Sequence, residues 1–420
     1  MRARLLATLA AGLLVGCPQD KPGGEVPKAA PKDAKKGGSE SDPAAPTKPV
    51  ETKAEPATAE PAGASSGGSG APADAEPAPT RPTLAPLDPA AKPSPWPAAD
   101  STDVRIDGRI VIRIGGTGEG TGTLLWAQRV TEDGLPGGTA KKLRVTSGEV
   151  GALEAAVSRG TLWVAWTADL GAGKKWINAV AAFDLAFDKV REPRILRTYD
   201  DPDGERGGLM VAPRDDGGAV VAALVGTKTC KSVQPEEPGL CRGMQVDLID
   251  SAGASLRRET RWLEGGSTEV NDVLATPTGA LVAYHAYVGG PMTDVAFVPN
   301  DKASKVESLP SCGYPEIDLA LVGDSVVSLC PDPDGSGRGP DAECFATGAD
   351  DSCGQMMRTA LPGAPPLPPA DRVDTKLRQL TARCDNGVPL YRLQWGVGAA
   401  AQHLDVPAAM LSLGWIESCP

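Results

Sequence analysis

The sequence predicts an all-β fold for residues 101–420, preceded by a long segment that cannot form a core. Short apolar strand-turn-strand patterns recur along this region, and no window keeps a 3.6-residue period for three helical turns. The first hundred residues differ, being rich in Pro, Ala, Lys, Glu, Gly and Ser. A sheet-built region of this length can bury a sizeable core.

Five segments share one pattern, in which a short apolar strand, a tight turn rich in Gly, Asp, Pro or Ser, and a more continuously apolar strand follow one another. They are GALEAAVSRGTLWVAWTAD from Gly151, GGLMVAPRDDGGAVVAALVG from Gly207, EVNDVLATPTGALVAYHAYV from Glu269, YPEIDLALVGDSVVSLCPD from Tyr314 and LRQLTARCDNGVPLYRLQW from Leu377. The pattern is typical of hairpins. A more polar hairpin follows most of them, and its alternation indicates one wetter face.

The segments begin roughly 45 to 65 residues apart, which is the length of one four-stranded sheet. We expect the apolar hairpin of each unit to be buried and the polar hairpin to lie outside. A first unit between Val104 and Val145 brings the number to six, with five or seven allowed. The pattern resembles β-propellers in general and implies no subfamily. A β-sandwich or stacked β-domains are the alternative.

The amino terminus has the pattern of an export signal. Arg2 and Arg4 precede an apolar run from Leu5 to Val15 that is too short to span a bilayer as a helix. The run ends in Leu-Val-Gly-Cys, with the cysteine at position 17. This ending resembles the lipobox of bacterial lipoprotein precursors.

That resemblance implies a signal peptide at residues 1–16 that is removed before Cys17. It further implies a diacylglyceryl group on the Cys17 thiol and an acyl chain, such as palmitate, on the new amino terminus. Several acyl chains together hold a protein firmly to a membrane. We therefore expect a lipid-anchored protein of the bacterial cell envelope. Its place would be the outer membrane or the periplasmic face of the inner membrane, with surface exposure also allowed.

Residues 17–100 are predicted to form a disordered tether. They contain one aromatic residue, Trp96, and too few apolar residues to offset the entropy of ordering the chain. As a flexible coil, such a segment would place the folded region on the order of ~50 Å from its anchor. The folded domain is therefore expected to span residues 101–420.

The charge of the chain argues against nucleic acid as a partner. The formal net charge is -12. A protein that binds nucleic acid electrostatically needs clustered Lys and Arg to displace counterions from phosphates. The basic runs here are only pairs, such as Lys141-Lys142.

Eight cysteines follow Cys17, an even number that predicts disulfides in an exported chain. They are Cys230, Cys241, Cys312, Cys330, Cys344, Cys353, Cys384 and Cys419. Eight cysteines allow 105 pairings. Short separations favour Cys230 with Cys241 and Cys344 with Cys353. Cys312 with Cys330 and Cys384 with Cys419 would complete the set, the last pair tying down the chain end.

A possible calcium site lies in DPDGSGRGPDAE. Asp332, Asp334, Ser336 and Glu343 take the first, third, fifth and twelfth positions of a loop that resembles the EF-hand calcium loop. Two prolines interrupt the loop, and an apparent strand precedes it. A disulfide-closed acidic surface loop is the alternative. No other cofactor is expected.

Few other residues are candidates for catalysis or metal binding. With two histidines in the chain, His-rich metal catalysis is excluded. His285 is predicted to be structural, and His403 with Asp405 lacks an assigned nucleophile. Trp163 and Trp166 should face opposite sides of one strand and pack between sheets.

The sequence thus predicts a lipid-anchored envelope protein whose all-β domain binds another envelope protein or a glycan without catalysis. Tyr284, Tyr287 and Trp395 are candidates for lining a carbohydrate or peptide groove. One alternative is a propeller hydrolase or lyase whose acidic residues gather from several units. A structural spacer is another. No catalytic residue is assigned.

Overall fold

In the part of the chain that it describes, the computed structural model has six antiparallel sheets, five of four strands and one of three, each built from strands that are consecutive in sequence. It describes residues 84, 86–87, 92–97, 101–106, 109–171, 175–200, 208–227, 241–263, 268–287, 291–311, 317–330, 354–371, 374–377, 379–396, 398–411 and 419. The all-β, propeller-like fold predicted from the sequence is confirmed, and the six sheets match the six predicted units.

The first three sheets have four strands each. Sheet one contains Ser101–Ile106 (β1), Arg109–Glu119 (β2), Gly122–Val130 (β3) and Pro136–Val145 (β4). Sheet two contains Glu149–Ser158 (β5), Thr161–Asp169 (β6), Lys175–Asp184 (β7) and Lys189–Asp200 (β8). Sheet three contains Leu209–Pro213 (β9), Ala219–Thr227 (β10), Cys241–Ile249 (β11) and Ser255–Leu263 (β12).

The remaining sheets follow the same order. Sheet four contains Thr268–Thr276 (β13), Gly279–Tyr287 (β14), Pro291–Pro299 (β15) and Glu307–Leu309 (β16). Sheet five contains Asp318–Val322 (β17), Ser325–Cys330 (β18), Gln355–Ala360 (β19) and Asp374–Lys376 (β20). Sheet six contains Gln379–Asp385 (β21), Val388–Trp395 (β22) and Gln402–Pro407 (β23). Short 3-10 turns lie at Pro369–Asp371, Gly398–Ala400 and Ala408–Met410.

Tight turns close the hairpins where the sequence predicts them. Between β21 and β22, Asn386 and Gly387 both have positive φ, at 49° and 78°. This is the backbone of a two-residue hairpin turn, and an Asn-Gly pair adopts it at little cost. Within the part of the chain that the structure describes, no helix has the length and apolar character to cross a bilayer.

The core consists of apolar layers between consecutive sheets. One buried cluster joins sheets one and two, and similar clusters join each later pair up to sheets five and six. The two tryptophans of β6 face opposite sides, as predicted. Trp163 packs toward sheet three, and Trp166 packs toward sheet one. Each central sheet therefore buries both of its faces.

The division into a buried hairpin and a wet hairpin is only partly correct. In β7, the third strand of sheet two, eight consecutive residues are buried, whereas most of β8 is exposed or intermediate. A third strand has neighbours on both edges and packed sheets on both faces, so its polar residues must be few. Of the two strands in this more polar hairpin, only the fourth strand of the sheet is mostly exposed to solvent.

The first and last sheets have one polar face each. Arg113 lies between Ile112 and Ile114, which face sheet two, so its side chain points away from that layer. Its Nε donates to Asp103 Oδ1 at 2.7 Å. In sheet six, Arg392 alternates with Tyr391 in the same way. An ion pair therefore replaces an apolar layer at each end of the array.

Part of the predicted tether lies against sheet one. The Ser94 backbone N–H donates to Gly138 O at 3.0 Å, and Gln128 Nε2 donates to Ser94 O at 2.9 Å. The Arg113 guanidinium lies 4.5 Å from the centre of the Trp96 ring. Ser94 and Trp96 therefore contact sheet one, although they lie before residue 101, at which the folded domain is predicted to begin. One aromatic residue and one serine are enough to order this stretch because both reach partners on the sheet.

Cations on the fourth strands connect neighbouring sheets. Lys141 of β4 donates to Ala186 O at 3.0 Å in the turn between β7 and β8. Arg194 of β8 donates to Gly253 O at 3.1 Å in the corresponding turn of sheet three. Carbonyl groups that would otherwise face solvent at the rim are thereby satisfied.

Arg257 of β12 makes the most extensive of these contacts. Its Nη1 donates to the carbonyl oxygens of Pro299, Asp301 and Ser304 at 3.3, 2.5 and 2.8 Å, all in the turn before β16. Its side chain is only 7% exposed. We name these fourth-strand cations, Lys141, Arg194 and Arg257, the rim clasps.

Substituting Arg257 by Met should lower the free energy of unfolding by roughly 2–3 kcal/mol, because three backbone carbonyl groups and Glu259 lose a buried charged donor. Chemical denaturation of the full chain measures this. Arg191→Met is the matched control, since Arg191 is exposed and reaches one carbonyl, that of Ser251, at 3.5 Å. A loss for Arg257→Met no greater than that for Arg191→Met would show that the additional contacts of Arg257 do not stabilise the fold.

Candidate functional site: a groove between sheets three and four

A groove lies where the outer strand of sheet three approaches the outer strands of sheet four. Its volume is about 260 Å³. The floor is apolar, and the rim carries polar groups from β12 and β16. The floor comprises Met244, Val246, Val298 and Val306, and the rim comprises Glu259, Thr260, Arg261 and Ser308. An apolar floor with a few converging polar groups is the usual composition of a binding site.

Arg261 is the central polar group of the rim. Its Nη1 donates to Ser308 Oγ at 3.1 Å, and its guanidinium carbon lies 5.5 Å from the centre of the Tyr284 ring. The stacking and the hydroxyl contact hold the planar cation in one orientation. A guanidinium has five N–H donors, so this contact leaves donors for an anionic or hydroxylated ligand.

The remaining rim groups are held from outside the groove. Arg197 of sheet two donates to Thr260 Oγ1 at 3.0 Å. Glu259 accepts a hydrogen bond from Arg257 Nη2 at 3.0 Å. Glu259, the one carboxylate of the groove, is therefore paired with Arg257. The Thr260 hydroxyl is bound from the sheet-two side, so the groove presents the Ser308 hydroxyl and the Arg261 guanidinium above an apolar surface.

Tyr284 supports the groove and does not line it. The residue is fully buried, and its hydroxyl donates to Asp294 Oδ2 at 3.2 Å. Burial raises the pKa of the Tyr284 hydroxyl well above its usual value, so the ring stays neutral. Trp395 packs in the layer between sheets five and six. The aromatic groove expected from Tyr284 and Trp395 is not formed by these two rings, and the Tyr287 side chain lies outside the described residues.

A buried carboxylate lies beside the groove, on the opposite face of β11. Asp247 is 1% exposed, receives a hydrogen bond from Arg258 Nε at 2.6 Å and is also bound by Gln245. Burial raises the pKa of Asp247, although Arg258 acts in the opposite direction. A raised carboxyl pKa is typical of catalytic acids. Here the group is sealed inside a polar contact between sheets, where no substrate reaches it.

The predicted site residues fall mostly outside the described part of the chain. Cys17, Cys230, Cys312, Cys344, Cys353, Asp332, Asp334, Ser336 and Glu343 lie outside it, so calcium binding stays a prediction. Among the described residues, no group of three His, Cys, Asp or Glu side chains is placed to hold a metal ion.

Three of the described cysteines are disulfide-bonded. The predicted disulfide Cys384–Cys419 is present and ties β21 to the carboxyl end of the chain. Cys330 is also disulfide-bonded. Cys241 begins β11 with its backbone opposite Thr227, and its side chain is not described.

Neither histidine belongs to a catalytic arrangement among the described residues. His285 is buried, with Nδ1 3.3 Å from Thr293 Oγ1, and burial lowers its pKa. Asp405 does not orient His403. Both Asp405 oxygens instead accept hydrogen bonds from Arg392, each at 2.8 Å.

Comparison with known proteins shows similarity in structure only. No protein-family model matches the sequence, and no curated protein matches it. An α-L-arabinofuranosidase from Fusarium graminearum aligns with 52% of this chain and 66% of its own, at 11% identity and a TM-score of 0.33. The acylaminoacyl peptidase of Pyrococcus horikoshii aligns with 70% of this chain and 42% of its own, at 11% identity and a TM-score of 0.33.

The β-propeller domain of the Trilobed protease from Pyrococcus furiosus aligns with 71% of this chain and 87% of its own. Identity is 9%, and the TM-score is 0.31. The chain spans less than two thirds of the length of the arabinofuranosidase and of the acylaminoacyl peptidase. At TM-scores this low, the similarity carries no argument about activity or substrate.

Substituting Asp405 by Asn tests whether Asp405 forms an ion pair with Arg392, and not a dyad with His403. The hydrogen bond from Arg392 lowers the pKa of Asp405, so its stabilisation is present above the unfolded-state value of 3.8 and is lost as the pH falls through the folded-state value. The wild-type protein should therefore exceed the variant in unfolding midpoint at neutral pH, and the difference should shrink as the pH falls below 3.8. Asp385→Asn is the control, and a pH-independent difference would contradict the assignment.

Proposed function

We propose that this chain is a lipid-anchored protein of the bacterial cell envelope whose all-β domain binds a protein or glycan partner and catalyses no reaction. The anchor is the lipid on Cys17, after removal of residues 1–16. The tether that follows gives the domain reach from the membrane, and the disulfide Cys384–Cys419 fits an oxidising compartment.

The composition of the groove carries the binding proposal. A carbohydrate or peptide offers hydroxyl, amide or carboxylate groups beside apolar surface, and the Ser308 hydroxyl with Arg261 matches those groups above an apolar floor. Arginine held by stacking is also a frequent energetic centre of protein interfaces. The volume of the groove fits one residue or one sugar ring of a larger partner.

The placement of carboxylates supports binding over hydrolysis or elimination. Glycoside hydrolysis uses two carboxyl groups on either side of the bond to be cleaved. The groove has one, Glu259, and Arg257 holds it at 3.0 Å. Elsewhere in the described structure, five aspartates are paired with arginines of the same sheet or of its turns. These pairs are Asp103–Arg113, Asp216–Arg214, Asp247–Arg258, Asp385–Arg383 and Asp405–Arg392.

The anchor is tested by mass spectrometry of the mature protein from a bacterial host. We expect an amino-terminal Cys17 with a mass increment equal to diacylglyceryl plus one acyl chain, and incorporation of labelled palmitate. Cys17→Ser should abolish both and should release the protein from the membrane fraction. A mature protein that begins at another residue and carries no acyl chain would rule out the lipid anchor.

The groove is tested with the full chain and immobilised envelope components, namely a crude polysaccharide fraction and an envelope protein extract. Arg261→Met keeps the stem of the side chain across Tyr284 and removes the donors, so retention should fall about tenfold, as for a typical interface arginine. Arg109→Ala, an exposed arginine paired with Glu132, is the control. Soluble fragments released by the wild type but not by Arg261→Met would instead reveal an enzyme.

A further inference from the structure

The exposed large apolar side chains concentrate on the outer strands of sheets one and two. Val145 of β4 is 39% exposed, and Val190 and Ile195 of β8 are 42% and 58% exposed. Leu135, 60% exposed, lies in the turn that leads into β4. Isolated exposed apolar residues need no explanation, but a group of them on neighbouring strands marks an interaction surface.

The same two strands are strongly basic in an acidic protein. The ten residues of β4 include three cations and no carboxylate, and the twelve residues of β8 include four cations and two carboxylates. The whole chain has a formal net charge of -12. Both strands are therefore positive, although the chain as a whole is negative.

The two strands form one continuous surface. The rim clasp at Lys141 joins β4 to the turn that begins β8, with contacts to Ala186 O at 3.0 Å and to Asp188 Oδ1 at 2.6 Å. Arg144 of β4 lies 5.6 Å from the Trp166 ring of sheet two. We call this surface the basic rim. It comprises Lys141, Lys142, Val145, Lys189, Val190, Arg191 and Ile195.

The charges of the basic rim are available to a partner. Lys141, Lys142 and Lys189 pair with Asp188, Glu119 and Glu192. All of these side chains are between 44% and 79% exposed, so the pairs are weak and can be exchanged.

Two arginines add to these lysines. Arg191 of β8 donates to the backbone carbonyl of Ser251, and Arg144 of β4 donates to that of Val145. The five cations, Lys141, Lys142, Arg144, Lys189 and Arg191, outnumber the three carboxylates that pair with the lysines.

We propose that the basic rim rests against an anionic lipid surface. Cations on a protein surface are attracted to anionic headgroups within a Debye length, and apolar side chains beside them enter the interface between headgroups and acyl chains. Interleaved cations and exposed aliphatic side chains fit this environment better than an acidic glycan. A glycan would engage the cations but would leave Val190 and Ile195 in water. The contact orients the domain on the membrane and does not depend on acylation of Cys17.

Hydrogen–deuterium exchange of the full chain carrying Cys17→Ser tests the proposal without acyl chains. The probes are vesicles of phosphatidylcholine alone and vesicles with about one third phosphatidylglycerol, an anionic lipid. Amides of β4 and β8 should exchange more slowly with the anionic vesicles only, and high salt should remove the effect. Amides of β22, on sheet six, are the internal control. No protection of β4 and β8 by anionic vesicles would overturn the proposal.

Variants separate the charge from the apolar contribution. Lys189→Gln with Arg191→Gln should weaken vesicle binding about tenfold, and Ile195→Ser should weaken it about threefold. Val388→Ser, at an exposed valine of sheet six, should have no effect. All variants share the amino terminus, so differences between them report on the rim alone.

A soluble polyanion, dextran sulfate, distinguishes lipid from glycan. Equal protection of β4 and β8 by dextran sulfate, with no effect of Ile195→Ser in either assay, would overturn the lipid proposal in favour of an acidic glycan. Loss of the proposed Cys17 anchor in the host would leave these results unchanged, so the two proposals fail separately.

Discussion

Burial of both faces of each central sheet is the constraint on which the rest of this structure depends. Because a sheet is sandwiched between two neighbours, its inner strands must be apolar at successive positions, as in β6 and β10. Close approach also restricts side-chain size. Trp126 packs flat on Gly115, where a Cβ atom would lie 2.2 Å from the ring. The polar groups of the protein are left to the outer strands, the turns and the two end faces.

The outer strands and their turns carry backbone polar groups that the stacked sheets leave without partners at the outer edge. Each fourth strand has an edge without a strand partner, and each turn before a fourth strand leaves carbonyl groups pointing outward. Aspartates such as Asp184 and Asp301 close these turns by accepting backbone N–H groups, as Ala186 and Ala303 show. The rim clasps from the preceding sheet then satisfy the carbonyls. Basic residues on outer strands thus have a structural reason that is independent of any partner.

The arrangement of outer strands also determines where the candidate binding groove lies. The groove lies beside the short strand β16, and buried side chains such as Val298 form its floor. Arg257 stabilises the turn and also neutralises Glu259, which leaves Arg261 as the charged group that a ligand would meet. Structural and ligand-facing roles therefore fall on residues of the same face of one strand. The groove and the basic rim offer different chemistry, one for small polar groups above an apolar floor and one for an extended anionic surface.

Much of the architecture could be predicted because hairpins are local. Alternation, turn residues such as Asn386-Gly387 and the spacing of repeats act over a few residues, and they determined the all-β class, the six units and the opposite faces of Trp163 and Trp166. The Cys384–Cys419 disulfide was accessible by the same reasoning, since a chain end needs a tie. The composition of the amino-terminal hundred residues likewise supports a tether, apart from the stretch around Ser94 and Trp96.

The site could not be predicted, since its parts come from different sheets. Met244 and Val298 are more than fifty residues apart, and no local pattern reveals that they share a floor. Asp247 looked like an ordinary polar position of a wet hairpin and is instead buried, because the third strand has sheets on both faces. By itself, then, the sequence determined which segments become strands and which residues face apolar layers, as short-range periodicity is enough for that. Only the tertiary structure decided which polar groups meet at the rim, because that depends on how neighbouring sheets are placed.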